Sequence, residues 1–266
     1  MLRIGYYQFR PLFGKVEKNR EKIFAKLRSV RADLLVLPEL PFTGYHFADK
    51  EELLQMAEDP EDSSTLRELV EICAEKDMFI VTGFAEKHGD RVYNSAFLVG
   101  PQGLLHIYRK IHLFFREKEL FVPGDTPLRV QEVKGVKIGV MICFDWIFPE
   151  VTRSLALQGA QIICHPANLV LSYCQQAMLT RCLENNVFAI TANRFGADKR
   201  PHGTLRFTGK SQIVAPKGEL LHRSVSQKEE LFVTEIDPGV ALDKKITPMN
   251  DLFTDRRVEF YQSLCS

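Results

Sequence analysis

Apolar segments of strand length recur along the whole chain, and their pattern restricts the fold more than any other feature. Many are rich in Val and Ile, and several lack strict alternation of apolar and polar residues. This pattern is typical of strands that are covered on both faces of a sheet. The predicted strands are Leu2–Gln8, Leu34–Leu37, Phe79–Gly83, Ser95–Val99, Val136–Ile142, Ile162–Cys164, Phe188–Thr191, Ser211–Val214 and Leu231–Ile236.

Amphipathic helices are predicted between these strands. In KVEKNREKIFAKLRSV, apolar residues recur on one helical face, namely Val16, Ile23, Leu27 and Val30. In the first part of the chain strands alternate with helices, and later several strands follow one another. We therefore expect an α/β layered domain with mixed sheets. The further helices run from Ser64 to about Lys76 with Ser63 or Ser64 as N-cap, from about Pro149 to Gly159, and from about Gln175 to Asn186.

Length and composition indicate one globular domain spanning residues 1–266. The chain has 266 residues, of which 45% are hydrophobic and 26% are charged, and α/β domains of this size are common. From about Asp243 the sequence becomes polar, aromatic and poorly periodic, as in ITPMNDLFTDRRVEFY. Two interpretations of this C-terminal extension stay open: a tail packed on its own domain, or an arm that packs on a partner subunit.

Charge and cysteine usage argue against several classes of partner. The formal net charge of +1 gives no reason to expect nucleic acid or an anionic membrane. The N-terminus MLRIGYYQFR lacks the apolar core of a signal peptide, and no apolar run approaches the length that spans a bilayer. The 6 cysteines form no CxxC pair, which favours reduced thiols in a chain of this size. We therefore expect a cytoplasmic protein without nucleic-acid or membrane partners.

Three reactive residues each follow an apolar, strand-like run. They are Glu39 in LLVLPEL, Lys110 in LHIYRKIHLF and Cys143 in VKIGVMICFDWIFPE. A thiol is a weak nucleophile until a base takes its proton, and a forming oxyanion needs positive charge or N–H donors beside it. A nucleophile at a strand-to-helix turn, as expected at Cys143, is exposed at the sheet edge. The set predicts acyl chemistry through a covalent thioester.

Each of these residues also has an ordinary structural interpretation. Cys143 fits a buried structural cysteine, the common state of a cytoplasmic thiol. Glu39 fits a cap or an ion-pair partner, because a carboxylate at the end of a buried strand is costly unless something pairs or uses it. Lys110 fits a solvated charge, and Glu117, before FVPGD, fits a surface glutamate.

Neighbouring residues offer competing sites, which the sequence disfavours. His112 could be mistaken for the base of a papain-like site, but no histidine is needed when Glu39 can act as the base. Cys164 and His165 are adjacent, and a single adjacent pair without a second cluster is weak support for zinc. Arg181 and Glu184 lie three apart on a predicted helix, which favours an ion pair.

Several motifs, taken in order and spacing, resemble the nitrilase, or carbon–nitrogen hydrolase, superfamily. The similarity covers essentially the whole chain and is closest to the amidase and N-carbamoyl hydrolase branch. The motifs that carry it are GYYQ, LLVLPEL, GFAEKHGDRVYNSAFLVGPQG, YRKIHLF, EKELFVPGD, ICFDWIFPE, HPANL, RCLENNVFAITANR, GKSQIVAPKGE and NDLFTDRR.

The resemblance implies a fold and a set of residue roles. The fold is a four-layer α-β-β-α sandwich of the nitrilase type, with two mixed sheets. By motif position, Glu39 is the general base, Lys110 the oxyanion stabiliser and Cys143 the nucleophile. Glu117 matches an additional structural and catalytic glutamate, and the N–H of Phe144 a second oxyanion donor. No metal or organic cofactor is implied.

The substrate pocket is less constrained by the sequence. The resemblance places HPANL in a pocket wall, with Asn168 near the substrate. Trp146 and Phe148 fit either a pocket lining or the core. Specificity is expected from the loops Thr43–Phe47, Phe114–Glu119 and Asn168–Cys174. These loops contain no clear Arg pair for a substrate carboxylate, which favours a neutral or amine-bearing substrate.

The predicted function is hydrolysis of a non-peptide C–N bond in a small amide or N-carbamoyl compound. A thioester forms on the cysteine, and ammonia or an amine is released. The alternatives are nitrile hydrolysis, a catalytically silent scaffold on the same fold, and transfer of the acyl group to an amine. The context CFDW resembles amidases more than the CWE form of many nitrilases. The family further implies a homodimer or a larger homo-oligomer.

Overall fold

The structure, a computed structural model, describes residues 1–265, so Ser266, the last residue of the predicted domain, lies outside the described residues. The first half of the chain contributes β1 (Leu2–Gln8), β2 (Leu34–Val36), β3 (Phe79–His88), β4 (Arg91–Gly100), β5 (Gly103–Arg109), β6 (Val130–Val133) and β7 (Val136–Val140). The second half contributes β8 (Ile162–Ala167), β9 (Phe188–Asn193), β10 (Phe195–Arg200), β11 (Gly203–Thr208), β12 (Gln212–Val214), β13 (Leu220–Arg223), β14 (Glu230–Ile236), β15 (Lys245–Thr247) and β16 (Asn250–Asp251).

The helices fall between the strands. They are α1 (Val16–Ser29), α2 (Lys50–Leu54), α3 (Ser64–Lys76), α4 (Glu117–Leu120), α5 (Pro149–Leu157) and α6 (Cys174–Asn185). Ser63 caps α3 through a hydrogen bond from the Leu66 N–H to its side chain, and Pro149 opens α5. Short 3₁₀ turns also occur, and the one that matters for the site is Cys143–Ile147.

Two six-stranded mixed sheets form the centre of the fold. The first has the order β14-β1-β2-β3-β4-β5, and the second β13-β12-β9-β8-β7-β6. In each sheet three central strands pair in parallel and the outer strands pair antiparallel. The hairpin β10–β11 forms a separate two-stranded sheet.

The sheets pack face to face, and helices cover their outer faces. Ile4, Val36 and Val81 of the first sheet share one buried cluster with Val140 and Ile163 of the second. The intervening residues of the first sheet, such as Leu35 and Ile80, point to the opposite face and pack under α1 and α3. Because these strands are buried on both faces, they appear in the sequence as continuous apolar runs. The predicted four-layer α-β-β-α architecture is confirmed.

The secondary-structure predictions agree with the structure at the level of elements. The strand predicted over Ser95–Val99 is the central part of β4, which continues at both ends. The predicted helices from Ser64, Pro149 and about Gln175 correspond to α3, α5 and α6. No helix within residues 1–265 is long and apolar enough to cross a membrane.

The C-terminal extension is attached to its own domain near its start and at Phe253, and much of the remainder is exposed. Phe253 packs against the main core, between the guanidinium of Arg153 at 5.2 Å and the ammonium of Lys244 at 5.1 Å from its ring. Met249 and Phe260 are 91% and 70% exposed. The extension is therefore attached to its own domain at Phe253 while it presents apolar side chains to the outside.

Candidate active site

Strand directions bring the predicted site residues to one edge of the fold. Glu39 follows β2, and Cys143 follows β7. Lys110 follows β5, which runs in the same direction as β3 because two antiparallel pairings separate them. In α/β sheets, residues that follow the carboxyl ends of parallel strands gather in one crevice, the usual location of a ligand site. The order of the strands therefore brings together three residues that are far apart in the sequence.

A tight turn after β2 places Glu39. Leu37 and Pro38 still bond to the neighbouring strand, through Leu37 N–H to Val81 O at 2.8 Å and Gly83 N–H to Pro38 O at 3.1 Å. Leu40 then adopts a positive φ of 47°, which reverses the chain. A side chain at Gly83 would lie 2.5 Å from the Cα of Glu39, so glycine is required for this close approach.

The Lys110 ammonium lies between two buried carboxylates. Its Nζ is 2.8 Å from Glu39 Oε1 and 2.8 Å from Glu117 Oε1, and all three side chains are at most 2% exposed. Asn94 donates a further hydrogen bond to Glu39 Oε1 at 2.7 Å. Tyr45 donates from its hydroxyl to Glu117 Oε1 at 2.6 Å. These ion pairs and hydrogen bonds fix the positions of the side chains. Buried charges are tolerated only when they are paired and hydrogen-bonded in this way.

Cys143 occupies a sharp turn between β7 and the 3₁₀ segment that it opens. Its φ is 42°, in the left-handed region that non-glycine residues rarely adopt and that is often retained at functional sites. The side chain of Asp145 holds the turn by accepting the Ile142 N–H at 2.8 Å. On the other side, His165 Nε2 lies 2.9 Å from the Cys143 carbonyl oxygen. This is the strand-to-turn position predicted for the thiol.

Asn168 connects the thiol to the carboxylate. Its side-chain Nδ2 donates to the Glu39 carbonyl oxygen at 2.8 Å, and its backbone N–H acts to lower the pKa of the Cys143 thiol, against the effect of burial. The charges of Glu39, Lys110 and Glu117 all act on the same thiol. The four residues predicted as catalytic therefore lie in one cluster.

Burial controls the protonation of this cluster. Burial raises the pKa of the Cys143 thiol well above its usual value; the charge of Glu39 adds to this, whereas Lys110 opposes it. Burial alone would lower the pKa of Lys110, but the charges of Glu117 and Glu39 outweigh it and raise that pKa overall. Burial is also the main cause that raises the pKa of Glu117, against the charge of Lys110. At neutral pH the site therefore holds a neutral thiol beside a charged ammonium.

A cleft of about 240 Å³ opens onto Cys143. Phe144, Trp146 and Asn168 are among the residues that line it. Trp146 also belongs to the main core cluster, so both interpretations of this residue hold. The pocket residues predicted from the sequence therefore face the same space as the thiol.

A family model described as carbon–nitrogen hydrolase matches residues 2–244. The chain belongs to the carbon–nitrogen hydrolase family. A protein named nitrilase from Pyrococcus abyssi is 45% identical, over 98% of this chain and 99% of that protein. An (R)-stereoselective amidase from Pseudomonas sp is 38% identical, over 77% of this chain and 73% of that protein. The carbon–nitrogen hydrolase structure from Helicobacter pylori G27 has a TM-score of 0.90 at 24% identity and covers 100% of this chain and 98% of that one.

The competing sites have structural roles in this carbon–nitrogen hydrolase. His112 Nδ1 lies 2.9 Å from Asp145 Oδ1, and its ring stacks on Phe148 at 3.7 Å between ring centroids. Arg181 and Glu184 form the predicted ion pair at 3.1 Å. Within residues 1–265, no group of three or more His, Cys, Asp or Glu side chains is arranged to hold a metal ion.

Sequence reasoning missed three residues that the hydrolase places around the cluster. Asn94 and Tyr45 hold the two carboxylates, and His165 holds the Cys143 carbonyl. Asn94 had a signal, since it is a polar residue inside the apolar strand segment VYNSAFLV, and a buried polar side chain needs a partner. Tyr45 lies in a loop that was predicted to determine specificity, but nothing local indicates its contact with Glu117.

Proposed function

We propose that this carbon–nitrogen hydrolase cleaves a small amide or N-carbamoyl compound through a thioester on Cys143. Glu39 is the proton acceptor and donor, and Lys110 with the Phe144 N–H stabilises the oxyanion. Glu117 holds Lys110 in place and maintains its charge. These roles are supported by the way the side chains are oriented and protonated.

The first half-reaction forms the thioester. Because the resting thiol is protonated, Glu39 must accept its proton as the sulfur attacks the carbonyl carbon. A C–S bond forms, and negative charge develops on the carbonyl oxygen beside the Lys110 ammonium. Collapse of this intermediate breaks the C–N bond, and the leaving amine or ammonia takes the proton from Glu39.

The second half-reaction releases the acid. Glu39 removes a proton from a water molecule, which attacks the thioester carbon, and the same donors again stabilise the oxyanion. The C–S bond then breaks, and the departing sulfur regains a proton from Glu39. The acid is released, and the thiol, the carboxylate and the ammonium return to their starting states.

One observation carries this proposal. Glu39 Oε1 is held by Lys110 and Asn94, whereas Oε2 is buried and has no hydrogen-bond partner among the described residues. An orphaned carboxylate oxygen in a buried site is costly unless a transient partner uses it. A thiol proton, and later a water proton, is such a partner.

A nitrile is the second candidate substrate. The relative from Pyrococcus abyssi that is 45% identical is named nitrilase, which favours it. The relative that is named an (R)-stereoselective amidase favours amides. Attack of the same thiol on a nitrile carbon gives a thioimidate. Addition of water and loss of ammonia then convert it to the same thioester, so one site serves both reactions.

An ammonia-release screen separates these candidates. Purified protein is assayed on aliphatic amides, dicarboxylic monoamides, N-carbamoyl compounds and nitriles, with Cys143→Ala as control. Turnover of amides or carbamoyl compounds that Cys143→Ala lacks supports the proposal. Acid production from nitriles at comparable or higher rates replaces it with the nitrilase function. Absence of turnover on every class, with no intact-mass increase after iodoacetamide, favours the silent scaffold.

We also propose that the chain forms a homodimer or a larger homo-oligomer. The exposed apolar side chains of the C-terminal extension support this, because several of them in one segment are typical of an interaction surface. They are Ile246, Met249, Val258, Phe260 and Leu264. Native mass spectrometry of the full chain tests it. The variant Phe260→Asp, compared with Glu259→Asp, is expected to shift the assembly toward monomer.

A further inference from the structure

A second cavity lies next to the cleft that opens onto Cys143. It has about 450 Å³ of free space, part of which is open to solvent. Phe114 and Val170 line both cavities, so these two side chains separate them. Glu117, which pairs with the Lys110 ammonium, and Tyr45, which donates to Glu117, also form part of the wall of the larger cavity. The two cavities therefore adjoin at Phe114 and Val170.

The remainder of the wall is largely apolar. Six hydrophobic side chains line it besides Phe114, and they come from four separate parts of the chain. They are Phe47, Phe115, Leu120, Phe121, Val170 and Leu205. Leu205 belongs to the hairpin β10–β11, which therefore covers the cavity from outside the two large sheets. A space of this size and lining suits an apolar group.

The charged groups in the wall are already neutralised by neighbours. Glu117 accepts hydrogen bonds from Lys110, Tyr45 and the Phe114 N–H. Arg116 donates to Ala48 O at 3.0 Å and pairs with Glu119 at 3.2 Å.

His46 is the remaining ionisable ring in the wall. Burial first, and then the neighbouring His202, lowers its pKa, so the ring is neutral at pH 7. No charge in the wall is left to pair with a charged substituent.

We propose that this cavity binds the side chain of the substrate and selects an uncharged, apolar chain or ring attached to the acyl carbon. The inference rests on the proposed function, since it places the scissile C–N group in the cleft at Cys143. Phe114 and Val170 form the passage between the two cavities, and Leu205 sets the depth of the larger one.

A homologous series of amides tests this selection. The ratio kcat/KM is measured by ammonia release for propanamide, butanamide, pentanamide and hexanamide. Each methylene that enters the apolar cavity is expected to raise kcat/KM about fourfold. Two charged relatives of pentanamide, glutaramate and 5-aminopentanamide, are expected to react at least about tenfold more slowly, because their charge would be buried without a partner.

Two substitutions at Leu205 distinguish a change in the pocket from a general loss of activity. Leu205→Trp fills the cavity and is expected to lower kcat/KM for hexanamide at least about tenfold, while propanamide changes less than about twofold. Leu205→Ala deepens the cavity and is expected to raise the preference for hexanamide or phenylacetamide over butanamide. Leu221→Trp is the matched control, because Leu221 of β13 is 37% exposed and does not line this cavity. A misfolded protein cannot produce opposite shifts in the two Leu205 variants.

The inference fails if kcat/KM does not depend on chain length, if the charged relatives are preferred, or if Leu205→Trp lowers all substrates equally. A binding readout distinguishes its failure from that of the proposed function. The rate of Cys143 alkylation by iodoacetamide is followed by intact mass in the presence of propanamide or hexanamide. If no ammonia is released, stronger protection by hexanamide that Leu205→Trp abolishes still supports the cavity. Equal protection by both amides overturns it, whether or not turnover occurs.

Discussion

His165 Nε2 lies 2.9 Å from the carbonyl oxygen of Cys143, and both residues are buried. A carbonyl oxygen only accepts hydrogen bonds, so Nε2 carries the proton, and Nδ1 faces the Thr191 hydroxyl at 3.2 Å. Burial lowers the pKa of His165 to about 4, which keeps the ring neutral at physiological pH. In a planar trans peptide the C=O and the next N–H point in opposite directions. By holding the Cys143 carbonyl, His165 therefore also fixes the direction of the Phe144 N–H.

Removal of this hydrogen bond is expected to affect the rate more than substrate binding. In His165→Phe the Phe144 N–H is no longer oriented, so kcat should fall about 10- to 100-fold while KM changes little. Thr191→Val keeps the bond from Nε2 and is expected to cause a smaller loss. Steady-state kinetics on the best amide of the screen measures both. Equal losses in the two variants, or an unchanged kcat in His165→Phe, would contradict a positioning role.

The same histidine makes stability depend on pH. Its pKa is about 4 in the folded chain and about 6.5 in an unfolded one, so the unfolded state binds the proton first as pH falls. Folded-state stability is then fully present above about pH 6.5 and is lost progressively down to about pH 4, by about 3 kcal/mol for this group. Urea unfolding of the wild type and His165→Gln should show this as a difference between the two pH slopes. Parallel slopes would show that His165 does not titrate on unfolding.

The fold was predictable because each of its signals is local. A run such as Leu34–Leu37 is apolar at every position since β2 is buried on both faces, and Ser63 and Pro149 bound their helices by backbone chemistry that needs no tertiary contact. Glu39, Lys110 and Cys143 were recognisable because they follow such runs within specific motifs. Their joint position at one edge then follows from the order of strands.

The features that the sequence did not reveal depend on contacts between distant segments of the chain. Nothing around Tyr45 indicates that its hydroxyl meets Glu117, 72 positions later. His165 was considered as a metal ligand and as part of the HPANL pocket wall. Its contact with the Cys143 carbonyl was missed because it requires β7 and β8 to lie side by side. Leu205 belongs to a hairpin that no sequence signal connected with the site. These residues were missed since hydrogen-bond partners and cavity walls are properties of the assembled layers.

The protonation state of the thiol gives a third prediction. Because burial and Glu39 raise the pKa of Cys143, its thiolate fraction is small at neutral pH and should grow about tenfold per pH unit between pH 7 and 9. Alkylation by iodoacetamide, followed by intact mass with Cys143→Ala as background, should follow that slope. A rate that reaches a plateau near pH 6 would instead indicate a thiolate paired with the ammonium in the resting site.

The contacts of Glu117 with Tyr45 and Lys110 give a fourth prediction, which two variants test. Tyr45→Phe removes one hydrogen bond to Glu117 and leaves the ion pair with Lys110 intact, so kcat should fall only about three- to tenfold. Glu117→Gln removes the charge that holds Lys110, so kcat should fall about 100-fold or more. Circular dichroism spectra of both variants serve as the control for folding. If Glu117→Gln retains near-normal turnover, Glu117 does not maintain the Lys110 charge.

A buried ion pair supports the hairpin that covers the larger cavity. The guanidinium of Arg194 is fully buried, makes two hydrogen bonds of 2.8 Å to the Asp198 carboxylate, and lies 4.0 Å above the Phe207 ring. Asp198→Ala would leave that cation without its partner, at a cost of about 3–5 kcal/mol in the free energy of unfolding. Urea titration measures this loss. Asp62→Ala is the matched control, because Asp62 pairs with Arg67 at a site where the two side chains are 93% and 61% exposed.

Because Asp198 lies on β10 and Leu205 on the paired strand β11, the loss of this ion pair should also loosen the wall of the cavity. In Asp198→Ala the advantage of hexanamide over propanamide is therefore expected to shrink, even at temperatures where the protein is fully folded. Asp62→Ala should retain both the stability and the chain-length preference of the wild type, since exposed ion pairs contribute little. If Asp198→Ala is destabilised but keeps the full preference, the hairpin supports the fold without shaping the substrate pocket.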